Sequence, residues 1–390
     1  MRRRAVLRLS MQAGAAAVAA PMLNLGRYRI FAASTREYSA RAIELVRQSL
    51  VIDMLNPFSL AMVLGTLMGG EQPTWLSNPA LLTAPDLQRA RDSGFNVLHI
   101  AAGTGDYDST LRFLAQWDGL IAHHSDTFLR VDSPERLAEA KRAGKIGIIL
   151  GIQDSDHFRT LEDVEFFYGL GQRVSQLTYN ARNLIGSGST ERNDSGLSDY
   201  GVSVVQSMNR LGMAVDVSHC GDTTTLDACG VSKRPVLITH ANCRALNPHP
   251  RCKTDEAIKK VAATGGVMGI TGVRMFVSAK EPTTIENVLD HYDHVAKLVG
   301  VEHLGVGSDI GLDGYDALPQ QVRIRLHSGY KSSYAFREKD DVEGLDHPKR
   351  TYDLTEGLIR RGYSDADIGL ILGGNFQRVL IEIWSPPAKK

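Results

Sequence analysis

Two histidines sit where buried strands run out. In "MAVDVSHC" (213–220) Met213, Ala214, Val215 and Val217 suit the interior of a sheet, and Ser218, His219 and Cys220 then put polar or reactive groups at its carboxyl end. The pattern recurs in "PVLITHANC" (235–243), where Val236, Leu237 and Ile238 lead into Thr239, His240 and Cys243. A third apolar run, "HLGVGSD" (303–309), finishes on Asp309, and two others finish on Gln153 and near Tyr179. Two imidazoles and a carboxylate brought to one place make a divalent-metal site, most naturally for zinc. A lone histidine in a core is more often a satisfied structural group. A pair on successive strand ends, with an aspartate nearby, reads as a functional cluster.

Such a cluster needs a fold that gathers strand ends. Eight short apolar, β-branched runs alternate with amphipathic segments: "SLVIDML", "FNVLHIAA", "KIGIILGIQ", "RVSQLTYN", "MAVDVSHC", "PVLITH", "GGVMGITG" and "HLGVGSD". Between them lie helical stretches such as "SPERLAEAKRAG", with Ser133 placed to cap, Pro134 in the first turn and Gly144 at the end. "TLEDVEFFYGLG", "DEAIKKVAATG" and "TIENVLDHYDHVAKLVG" repeat the design, each closing on glycine. Runs buried on both faces and alternating with helices predict a parallel sheet. Eight β/α units in this length predict a closed (β/α)8 TIM barrel, with "DIGLILGGNFQRVLIEIW" completing its outer layer. The carboxyl ends of the strands then converge on one mouth, and His219 and His240 become neighbours.

The 390 residues carry 44 basic and 44 acidic side chains and are 43% hydrophobic. A formal net charge of zero argues against nucleic acid as a partner. The amino terminus, "MRRRAVLRLSMQAGAAAVAAPML", is basic and then mildly apolar and alanine-rich, the pattern of an export signal. Arg3 and Arg4 fit the twin-arginine route, which predicts a signal over 1–33, a periplasmic protein and one barrel domain over 34–390. No later stretch is long and apolar enough to span a membrane. Cys220, Cys229, Cys243 and Cys252 have no C-x-x-C spacing. They are open to three readings: a disulfide with a spare thiol, soft metal ligands, or inert small side chains.

In several ordered motifs the chain resembles the renal (membrane) dipeptidase family, peptidase family M19, among the amidohydrolase-like barrels. The likeness runs from about residue 48 to the end. It includes "DVSH" (216–219), the "TH" of the sixth strand followed by "RAL", Arg251 eleven residues past His240, "GVGSD" (305–309) and "GGNFQRVL". The resemblance implies dipeptides or similar small amides as substrates. It also marks a departure. The family's first strand reads Asp-Gly-His-x-Asp, whereas this chain has "DMLNP", with Leu55 and Pro57 in place of two metal ligands. Gln153 stands where the family has a bridging glutamate, and Tyr179 where it has a substrate-binding histidine. The second half-site keeps His219 and His240.

These residues imply a one-zinc hydrolase, with His219, His240 and the Gln153 carbonyl oxygen or Asp309 as ligands. By the family's pattern Asp309 is the proton shuttle and Arg251 pairs with the substrate carboxylate. Tyr179 donates to the oxyanion, and with its neighbour Asn180 it contacts substrate. "QDSDH" (153–157) reads as a solvated acidic turn, from which Asp154, Asp156 or His157 could also swing inward. The long segment 311–350, rich in Tyr, Arg and Lys, reads as a lid over the mouth. The expected partner is a small-molecule or dipeptide substrate, with a homodimer as the candidate assembly. Loss of the first half-site leaves two other classes open: a C–N lyase or isomerase, and a periplasmic binding protein on the same scaffold.

Overall fold

The computed structural model describes residues 27–29, 36–59, 75–103 and 106–385. The expected export signal over 1–33 lies outside these residues, save for 27–29. A short antiparallel pair, β1 (Arg27–Arg29) and β2 (Glu37–Ser39), precedes the first helix among the described residues, α1 (Ala40–Gln48).

All eight expected strands are present and parallel: β3 (Ile52–Asp53), β4 (Val97–Ala102), β6 (Ile146–Ile152), β7 (Gln172–Gln176), β8 (Ala214–Asp216), β9 (Val236–Ala241), β10 (Met268–Ile270) and β11 (Leu304–Val306). The ring closes because β4 pairs with both β3 and β6, giving the (β/α)8 TIM barrel. A ninth strand, β5 (Phe128–Arg130), pairs with the amino-terminal part of β6. The strands read as continuous apolar runs because both faces are covered; every residue of β6 is buried.

The helices carry the punctuation that the sequence predicts. Helices α5 (Leu161–Gly169) and α10 (Ile285–Val299) start with capping boxes from Thr160 and Thr284. In α8 (Asp255–Ala263) the Thr254 side chain accepts from the Ala257 amide. The α4 helix (Pro134–Arg142) differs: Ser133 makes no side-chain cap, because its hydroxyl donates instead to Glu135 Oε2 at 2.7 Å. The predicted terminal helix is two pieces. A π-type turn over Leu370–Gly374 precedes α14 (Asn375–Trp384), and a Cβ at Gly373 would stand 1.9 Å from the Leu50 carbonyl oxygen. Only glycine permits that approach. Phe376, Val379 and Ile383 of α14 then pack in one cluster with Ile52, Val97, Val174 and Leu237 of the strands.

Candidate active site

Strand β8 ends at Asp216 and β9 runs on to Ala241, which brings His219 and His240 side by side with Nε2 atoms 3.0 Å apart. Each ring is oriented by its other nitrogen. His219 Nδ1 lies 2.8 Å from Asn180 Oδ1, an amide oxygen that also accepts from the Tyr334 hydroxyl at 2.8 Å. An amide oxygen can only accept, so His219 Nδ1 carries the hydrogen. His240 Nδ1 lies 2.8 Å from Thr239 Oγ1, whose own hydrogen goes to Asp216 Oδ2 at 2.6 Å. Both Nε2 atoms therefore present lone pairs to one another. Burial, then the nearby Arg251 guanidinium, holds both imidazoles well below their usual pKa, so a shared proton is disfavoured.

A metal ion satisfies that arrangement. Two zinc–nitrogen bonds of about 2.0–2.1 Å at a tetrahedral angle place their nitrogens roughly 3.4 Å apart, a small opening of the observed pair. These are two donors. Among the described residues no group of three or more His, Cys, Asp or Glu side chains is placed to hold a metal. A third protein ligand would come from a neutral oxygen such as that of Gln153, or from a shift of Asp309. Donors for a second ion are missing where the family resemblance puts them, since Leu55 and Pro57 line the cavity with hydrocarbon.

His219, the outer member of the pair, lines a cavity of about 550 Å³, with His240 buried behind it. Gln153, Asp154, Tyr179, Asn180, His219 and Asp309 line its floor. Tyr179 stacks on His219 with ring centroids 4.1 Å apart, and its hydroxyl is 3.1 Å from that of Tyr330. Burial and the neighbouring tyrosines push the Tyr179 phenol well above its usual pKa, so it stays a donor. Asp309 occupies the left-handed region at φ 57°, held by its amide donating to the Leu55 carbonyl at 2.8 Å. Its carboxyl is pushed up to about 7 by burial, against the pull of Arg251, with Asp53 adding to the rise.

Arg251 is placed elsewhere. It is buried, and its two terminal nitrogens donate to the carbonyls of Ser218 and His240, the latter at 2.9 Å. In this arrangement it fixes the strand ends that carry the histidines, and only its Nε lacks a partner. The side chain is buried and does not line the cavity, so this arrangement does not present the expected two-bond fork to a substrate carboxylate there. Arg325 does line the cavity, exposed and without an ion pair among the described residues.

The loop after β6 is less solvated than its composition suggests. Asp154 lines the cavity and accepts from Asn183 Nδ2 at 2.8 Å, and burial raises its carboxyl to about 6. His157 is buried against Gln172 Oε1 at 3.0 Å, and Asp156 alone is exposed. The four cysteines are free and buried. Burial raises the Cys220 thiol to about 11 and those of Cys229 and Cys252 to about 12, which makes them inert side chains.

The segment after β11 supplies the cavity's upper wall. Tyr315, Tyr330, Tyr334 and Phe336 line it, together with Leu326 from α11 (Gln320–Ser328). Lys331 ties this wall to the opposite rim by donating to the Thr190 carbonyl at 2.9 Å. Sequence reasoning marked the segment but not these side chains. A second residue it missed is His99 of β4, which donates from Nδ1 to the Met54 carbonyl at 2.6 Å and leaves Nε2 buried without a partner.

A model of the membrane dipeptidase family (peptidase family M19) matches residues 39–323. The dipeptidase verJ of Clonostachys rogersoniana is 32% identical over 264 residues, 67% of this chain and 61% of that protein. An uncharacterized dipeptidase of Schizosaccharomyces pombe is 32% identical over 209 residues, 52% of this chain and 49% of that one. The chain thus spans between about half and three-fifths of the length of these curated relatives. Among solved structures, an amidohydrolase from Pseudomonas aeruginosa superposes with a TM-score of 0.76 at 28% identity, covering 88% of this chain and 99% of that one. A metallopeptidase from Rhodobacter sphaeroides, solved with a phosphinate mimic of the dipeptide L-Ala-D-Ala, shares the fold at a TM-score of 0.69 and 18% identity, covering 86% of this chain and 100% of that one. With the match extending over 39–323, the chain belongs to the membrane dipeptidase family, peptidase family M19.

Proposed function

We propose that the chain is a dipeptidase-like hydrolase that cleaves a dipeptide or small amide with one zinc ion per chain. The observation that carries this reading is the pair of facing imidazole lone pairs, 3.0 Å apart, of which His219 lines the cavity that also holds Asp309. His219 and His240 would hold the ion, with the Gln153 oxygen as the third ligand. When bound, zinc lowers the pKa of a coordinated water towards roughly 7. Asp309, its carboxyl already pushed up to about 7, takes a proton from the attacking water and delivers it to the leaving amine. The Tyr179 hydroxyl donates to the carbonyl oxygen as it gains charge. The aromatic wall of Tyr315, Tyr330 and Tyr334 acts as a lid that limits water at the reacting bond. Arg325 is the side chain best placed to meet a substrate carboxylate.

Elemental analysis of the purified protein should find at most one tightly held zinc per chain, and a dipeptide panel should find turnover. Asp309→Asn keeps the shape of the side chain but removes the base. It should leave binding of a hydrolysed dipeptide within a few-fold and lower turnover by about 10²–10⁴. Equal turnover in both proteins would remove Asp309 from the reaction. A second reading, a binding protein on a dipeptidase scaffold, is favoured by the hydrocarbon at Leu55 and Pro57. Binding of dipeptides with no turnover, with or without added zinc, would establish it.

A further inference from the structure

We infer that Asp216 is a positioning residue that sets the tautomer of His240 through the Thr239 hydroxyl, and so makes His240 competent to bind a metal. The inference rests on the proposed function only in taking the histidine pair to be a metal site.

Asp216 draws the hydrogens of two hydroxyls, those of Ser218 and Thr239, whose oxygens lie 3.1 Å apart. Its Oδ1 accepts the backbone amides of Ser218 at 2.9 Å and Thr239 at 3.1 Å, and also the Ser218 hydroxyl. Its Oδ2 accepts the Thr239 hydroxyl at 2.6 Å. Ser218 Oγ in turn accepts the His240 amide at 3.1 Å. A hydroxyl has one hydrogen. With the Thr239 hydrogen committed to a carboxylate, Thr239 Oγ1 meets His240 Nδ1 at 2.8 Å with lone pairs only. The ring hydrogen must then sit on Nδ1, and Nε2 is left bare, facing His219. The carboxylate is fully buried in this cluster, and no part of it reaches the cavity. Its effect on the site is therefore exerted through Thr239.

Asp216→Asn inverts the logic without changing the shape. The two backbone amides select the amide oxygen for the Oδ1 position, so the NH2 group takes the Oδ2 position and donates to Thr239 Oγ1. The Thr239 hydrogen then turns to His240 Nδ1, and the ring hydrogen moves to Nε2, where it blocks a metal. His219 differs, since Asn180 Oδ1 alone fixes its tautomer.

The test uses the full chain, stripped of metal and labelled with ¹⁵N-histidine, with His240 signals identified by their loss in His240→Gln. Long-range ¹H–¹⁵N spectra should show the hydrogen on His240 Nδ1 in the wild type and on Nε2 in Asp216→Asn. Zinc affinity, read by competition with a chromophoric chelator, should fall by about 10–100-fold, the usual effect of losing a group that orients a ligand. Thr239→Val should also weaken zinc binding, whereas Thr239→Ser, which restores the hydroxyl, should retain it; this pair carries the test if Asp216→Asn fails to fold. An Nε2–H tautomer in the wild type overturns the inference, as does unchanged tautomer and affinity in Asp216→Asn, or equal affinity in Thr239→Val and Thr239→Ser. None of these readouts depends on hydrolysis. A chain that cleaves no dipeptide yet shows the tautomer switch refutes the proposed function and leaves this inference standing.

Discussion

Asp309 is held in two unfavourable conditions at once: a backbone angle that few non-glycine residues adopt and a half-buried carboxyl with no hydrogen-bond donor among the described residues. The cost of each is met by the surrounding barrel, and the return is a group that gains or loses a proton near neutrality. That has a consequence for stability. The folded carboxyl binds its proton near pH 7, whereas an unfolded aspartate does so near ~4. Asp309 therefore favours folding most below ~4, and that contribution is lost as pH rises through about 7. In metal-free protein, kept so by a chelator, urea unfolding at pH 5 and pH 8 should show the wild type losing stability relative to Asp309→Asn. Other titrating groups are common to both proteins and cancel. Parallel pH profiles would mean that Asp309 is solvated as an ordinary surface carboxylate.

Strand β3 is the weak seam of the ring. It has two residues in regular pairing and one register pair with β11, Asp53 with Val306, backed by the Met54 amide donating to the Val306 carbonyl at 2.8 Å. Side-chain bonds extend the join: the buried Asp53 carboxylate accepts the Ser308 amide at 2.7 Å and Asn56 Nδ2 at 2.9 Å, and Arg350 lies 3.9 Å away. Asp53→Ala would strand a buried guanidinium and unpair these donors. It should cost about 3–5 kcal/mol in urea unfolding, against a smaller loss for Asp53→Asn. A loss under about 1 kcal/mol for Asp53→Ala would show that the strand pairing alone holds the seam. The seam also shows what a sequence can carry. The eight strands were legible because burial on both faces writes continuous apolar runs, and His219, His240, Gln153, Tyr179 and Asp309 because they interrupt those runs at their ends. Tyr315, Tyr330, Tyr334 and Phe336 were not, since side chains of an irregular segment follow no period. Nor was the anchoring of Arg251, because the carbonyls of Ser218 and His240 become its partners only when β8 and β9 are side by side.

Across the whole barrel, the proposed metal site draws its histidines from the ends of β8 and β9, one arc of the ring. Leu55 and Pro57 follow β3, on the far side of β4 from β6 and Gln153, so the two donors that are missing outright belong to another arc. An ion on His219, His240 and Gln153 would join β8 and β9, which already share a ladder, to β6 on the other side of β7. A second ion held after β3 would tie in a strand that β10 and β11 separate from β9. The backbone needed for this is present: Leu55 and Gln153 still line the cavity, and the Leu55 carbonyl still receives the Asp309 amide at 2.8 Å. The combined replacement of Leu55→His, Pro57→Asp and Gln153→Glu should therefore raise bound zinc from at most one ion per chain to two and increase hydrolysis of simple dipeptides. Each added ion at a free concentration a hundredfold above its Kd contributes about 2.7 kcal/mol to unfolding. Titration with zinc should accordingly raise the Tm of the triple variant further than that of the wild type, and chelation should erase the difference. A folded triple variant that still holds a single ion would show that the chain after β3 no longer follows the path that ligands on this arc require. The departure at Leu55 and Pro57 would then be a change of backbone as well as of side chains.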